Sequence, residues 1–174
     1  MFRLLIAVIA LFIAGCTHNI DIDRIELPEG PFDTNEVAWI KRPGNNTVSG
    51  QAFIRQTGGG VVTCAGEEVS LTPVSSYATR RIQAIYGNTT RGYNHYGYNR
   101  TDYSDPDVDP KYFEYRLRSV CDAAGNFSFS RVPSGDYFLT TRVWWQVGNF
   151  TQGGNLMRRL SLSGGQEKRI LMSP

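Results

Sequence analysis

The stretch Asp122-Ala123-Ala124-Gly125-Asn126-Phe127-Ser128-Phe129-Ser130-Arg131-Val132-Pro133-Ser134-Gly135-Asp136-Tyr137-Phe138-Leu139 decides the fold. Gly125 stands where a tight turn needs positive φ, and Phe127 and Phe129 then alternate with serines, the period of a strand with one buried face. Pro133 fixes φ near −65° and Gly135 is expected to take positive φ, so the chain should reverse between Phe129 and Tyr137. Past the turn the alternation resumes. Tyr137, Leu139, Thr141, Val143, Trp145 and Val147 fall on one face, and Thr140, Arg142, Trp144 and Gln146 on the other.

Outward from this pair, short apolar or alternating runs at residues 48–54, 61–71, 113–121, 156–162 and 170–172 are separated by turn residues. With residues 127–129 and 137–147 they make about seven strands, and their spacing points to an all-β, antiparallel sandwich. Residues 122–126, 133–136, 148–155 and 164–165 are the expected turns. One short helix is expected over residues 77–86, with Ser75 or Ser76 as its cap and Gly87 at its end. The segment 92–112 carries Tyr93, Tyr96, Tyr98, Tyr103 and Tyr112 among Asn, Gly, Asp and Arg, and is expected to be a long inserted loop. Hydrophobic residues at 41% and charged residues at 20% belong to a folded chain, and 174 residues suit one domain.

The stretch around Gly125 and Val132-Pro133-Ser134-Gly135 resembles the signature of carboxypeptidase regulatory-like domains, which have a prealbumin-like (transthyretin-like) sandwich. Residues 48–52, with Gly50, look like that family's first strand, and residues 160–171, around Gly164-Gly165, like its last. The likeness runs over residues 47–172. It implies a prealbumin-like sandwich and the non-catalytic accessory domain, which serves as an adhesive or scaffold module on many proteins. Cys64, Cys121 and the Tyr-rich insertion depart from the compact family pattern.

The first residues carry a cationic start at Arg3, an apolar run over 4–13 and the small residues Ala14 and Gly15, the three parts of an export signal. Ten apolar residues are too few for a stable bilayer span. Ile13-Ala14-Gly15-Cys16 resembles the lipobox of bacterial lipoproteins, which implies removal of residues 1–15 and lipidation (diacylglyceryl, then an acyl group such as palmitate) at Cys16. Thr17 after the cysteine points, by the same resemblance, to the outer membrane, facing the periplasm or the cell surface. Residues 16–46, broken by Pro28, Gly30, Pro31, Pro43 and Gly44, are expected to tether the domain of residues 47–174, with residues 37–40 able to form an edge strand. Once Cys16 holds lipid, Cys64 and Cys121 remain. An even remainder in an exported protein suggests one disulfide, and two buried free thiols are the alternative.

Eighteen basic against sixteen acidic residues, net +2 before Arg3 is lost, give no sign of nucleic-acid binding. His18 and His95 are the only histidines, so no catalytic triad is expected, and no zinc-ligand spacing or cofactor motif occurs. Asp105, Asp107 and Asp109 alternate, but Pro106 and Pro110 stiffen the segment and Arg116 stands where a calcium loop needs its last Glu. These acids are expected to form a solvated turn. The candidate binding surface is aromatic: Tyr93, Tyr96, Tyr98, Tyr103 and Trp144, whose rings offer stiff area with polar tips. The expectation is therefore a lipid-anchored, non-enzymatic envelope protein acting as a structural or protein-interaction module. A glycan-binding module is the alternative.

Overall fold

The computed structural model describes residues 30–96 and 108–174. Within them two short 3-10 turns precede nine strands and two α-helices. The strands form two facing sheets, and the chain is an all-β sandwich. In the first sheet β1 (Asn46–Arg55) is central, antiparallel to β6 (Asn126–Val132) and parallel to β9 (Glu167–Met172), with β2 (Val61–Thr63) pairing its last residues. The second sheet is antiparallel throughout. Its order is β4 (Arg91–His95), β8 (Phe150–Leu162), β7 (Gly135–Val147), β3 (Glu68–Pro73) and β5 (Leu117–Val120).

The β6–β7 reversal expected around Pro133 and Gly135 is present, and β7 keeps its alternation: Tyr137, Leu139 and Val143 are fully buried between the sheets. They pack there with Val48, Val69, Leu71, Phe127, Phe129, Leu156 and Leu160. Each such side chain withdrawn from water contributes about 1.5–3 kcal/mol. At the far end of β7 Trp145 only packs partly against this core, and Val147 is 50% exposed. Gly125 has φ 78°, and Asp122 holds its turn by accepting from the backbone N–H of Ala124 and Asn126. The Asn126 side-chain amide, donating to the same carboxylate, does most to hold Asp122 below its ordinary pKa, and the backbone bonds add to it.

Several boundaries differ from expectation, each for a local reason. The run 61–71 is cut by a turn at Ala65 and Gly66 into β2 and β3. In the run 113–121 only β5 is a strand, because Asp109 caps a helix, α2 (Pro110–Glu114), by accepting from the Lys111 N–H, and Pro110 opens it. The Tyr-rich segment, expected to be loop from residue 92, holds β4. Gly153 and Gly154, expected in a turn, lie inside β8. The turn is Gly148-Asn149 alone, and a Cβ at Gly154 would overlap the Asn94 carbonyl of β4, so glycine is what lets this strand approach.

The expected helix is α1 (Ser76–Tyr86), capped by the Ser75 hydroxyl and ended by Gly87 at φ 64°. It lies on the outer face of the five-stranded sheet. There Tyr77, Ala78 and Ile82 cover Phe138 and Met157, and Phe32, Val37 and Tyr112 complete a second, smaller core. Residues 30–45, placed in the tether by their turn-formers, thus lie against the sandwich from Phe32 onward. Residues 37–40 form no edge strand. They wind into a 3-10 turn (Ala38–Lys41) that buries Ile40 and sets Trp39 edge-on against Tyr137, centroids 5.4 Å apart.

Cys64 and Cys121 form the expected disulfide, Cα atoms 5.7 Å apart. It ties the end of β2 in one sheet to the end of β5 in the other. No helix among the described residues is long and apolar enough to cross a membrane.

Candidate functional site

β7 and β8 run far beyond the ground that α1 covers. Where α1 stops at Tyr86, the outward side chains of the five-stranded sheet are left uncovered, and they form a groove of about 470 Å3. Its floor is given by the strand register: Ser70 lies opposite Thr140, and Arg142 opposite Asn155. Glu67 and Glu68 enter from the start of β3, Ile82, Ile85 and Tyr86 from α1, and Tyr112 and Arg116 from α2 and the residues after it. The alternation that buries Leu139 and Val143 therefore also presents Thr140 and Arg142 to this face.

The polar groups are ordered by one another. Glu67 accepts from the Arg142 Nε–H and, at 2.7 Å, from the Trp144 indole N–H. Glu68 accepts from the Ser70 hydroxyl at 2.8 Å and pairs with Arg116 at 3.1 Å and with Arg118 at 3.9 Å. Arg81 of α1 is 7% exposed, its guanidinium carbon 5.7 Å from the centroid of the Tyr77 ring and 5.4 Å from that of Tyr112. Burial pushes the Tyr112 phenol above its ordinary pKa, so it stays neutral and keeps its proton.

The structure divides the expected aromatic surface. Tyr96 and Trp144 do not line the groove, but each is bonded to a residue that does: the Tyr96 hydroxyl donates to Asn155 Oδ1 at 2.8 Å, and the Trp144 indole, on a side chain 39% exposed, donates to Glu67. Tyr93 turns to the opposite face, packs against the main core and donates to the Gly153 carbonyl at 3.0 Å. Tyr98, Tyr103, Asp105, Asp107 and Cys16 lie outside the described residues. Asp109 is the α2 cap, and His95 is at the exposed sheet edge with its ring against Tyr93. Among the described residues no group of three His, Cys, Asp or Glu is placed to hold a metal ion.

Sequence reasoning missed Glu67, Glu68, Tyr86, Arg116, Arg142 and Asn155 as groove residues. One signal was present, since the polar face of the β7 alternation contains both Arg142 and Trp144. Without knowing where α1 ends, that face is indistinguishable from an ordinary solvated one.

The sequence matches no protein-family model and no curated protein. Among solved structures, the chain is similar to a protein of Pseudomonas aeruginosa whose crystal structure, at 2.61 Å, describes it as carbohydrate binding by provisional assignment. The TM-score is 0.69 with 24% identity, and the match covers 86% of this chain and 100% of that one. The likeness is one of fold.

Proposed function

We propose that this protein is a non-enzymatic glycan-binding module, held at the cell envelope by lipid on Cys16. The observation that carries the reading is the groove itself, where fixed Arg, Glu and Asn groups lie beside the ring of Tyr86, with Tyr96 and Trp144 bonded to its Asn155 and Glu67. A sugar needs both: planar polar side chains for its hydroxyls, and an aromatic face or edge for its C–H surface. The provisional assignment of the Pseudomonas aeruginosa protein supports the same reading, and the lipobox-like residues 13–16 support the anchor.

A protein-interaction role is the second reading, and a different surface favours it. At the end of the β7–β8 hairpin Val147 and Phe150 face each other, 50% and 67% exposed, more apolar area than a free hairpin tip requires.

A glycan array probed with the mature chain separates the two. Glycan binding predicts hits that Tyr96→Ala and Trp144→Ala each weaken about tenfold or more, while Val147→Ser and Phe150→Ser leave them unchanged. An array without hits, together with capture of an envelope protein that Phe150→Ser abolishes, would overturn it.

A further inference from the structure

The hydrogen-bonding inventory of the groove is unbalanced, and the imbalance points to the charge of the ligand. Its carboxylates are committed within the protein. Both oxygens of Glu67 are taken, by Arg142 and by Trp144, and Glu68 is taken by Ser70, Arg116 and Arg118. The donors are not used up in the same way. A guanidinium carries five N–H groups. Arg142 spends only its Nε–H on Glu67, and Arg116 reaches Glu68 only through Nη2. The two carboxylates that line the groove are thus committed, while Arg116 and Arg142 keep N–H groups to spare.

A neutral sugar brings hydroxyls that donate as readily as they accept, and it would suit a groove with open carboxylate acceptors. This groove offers open guanidinium N–H donors, and Arg142 keeps its whole Nη edge, a planar fork that matches an oxyanion with two parallel hydrogen bonds.

We propose that the saccharide taken here is acidic, a uronate-type sugar whose carboxylate is received by the free N–H groups of Arg116 and Arg142. This rests on the glycan reading above and adds the charge class to it.

The test uses the mature chain with polyuronate and sialylated oligosaccharides, each beside its own carboxyl-reduced form, by titration calorimetry. Acidic forms should bind at least about tenfold more tightly than their reduced counterparts, and added salt should narrow the gap. Arg116→Gln and Arg142→Gln should each close most of it, with Arg116→Lys intermediate because it keeps charge but loses the fork. Arg169→Gln, the same charge change on β9 of the other sheet, should leave it intact. Equal binding of acidic and reduced forms would overturn the acidic assignment and leave the glycan reading standing. Binding of neither in this panel, with no neutral hit on the array, would remove both. A circular dichroism melt of each variant confirms that loss of binding is not loss of fold.

Discussion

Gly135 shows how one residue answers to two constraints. Its φ of 154° lies at the edge of the glycine-favouring region, and the ring of Trp39 rests on its Cα so closely that an added Cβ would overlap it. The sequence pointed to the first constraint through Val132-Pro133-Ser134-Gly135. It could not point to the second, because Trp39 is far along the chain and its packing partner, Tyr137, is adjacent only in the fold. Gly135→Ala is therefore expected to cost about 1–3 kcal/mol, as overpacked sites do. A double-mutant cycle with Trp39→Ala assigns the cause: the two changes should be clearly non-additive in chemical denaturation, with the Gly135→Ala penalty shrinking once the indole is gone. Full additivity would leave backbone conformation as the whole explanation.

At the level of elements, the disulfide has the clearest mechanical role. Cys64 and Cys121 are 57 residues apart in sequence and join strands of opposite sheets, so the bond restrains the unfolded chain and clasps the sandwich at one end. Closing a loop of that length is worth about 4 kcal/mol in the chain-entropy model. Cys64→Ala with Cys121→Ala should lower unfolding stability by an amount of that order. Both sulfurs are buried, so the folded protein should also resist mild reductant until it is partly denatured. A thermal melt unchanged by the double substitution would show that the sheets hold together without the clasp. α1 tells the complementary story: Ser75 and Gly87 made both of its ends legible, because caps are local chemistry. That the helix stops short and leaves a groove was not local, since it depends on β7 and β8 outrunning it.

At the scale of the whole molecule, the proposed anchor and the domain meet in the residues before β1. Phe32, Val37 and Ile40 are buried against the sandwich, so the span able to act as a tether is shorter than residues 16–46. If Cys16 carries lipid, Cys16→Ser should yield a chain that no longer labels with palmitate and no longer partitions with membranes. Unchanged labelling would overturn the anchor, with no bearing on the groove. The sequence by itself determined what depends on short-range rules: the β6–β7 reversal, the alternation along β7, the caps of α1 and the all-β class. These follow from turn stereochemistry and from a side-chain period that any four or five residues display. The tertiary structure alone decided that Tyr96 and Trp144 bond to Asn155 and Glu67 of the groove while Tyr93 turns away to the core. That sorting rests on strand register between segments distant in the chain, and on how far a covering helix reaches, neither of which local pattern encodes.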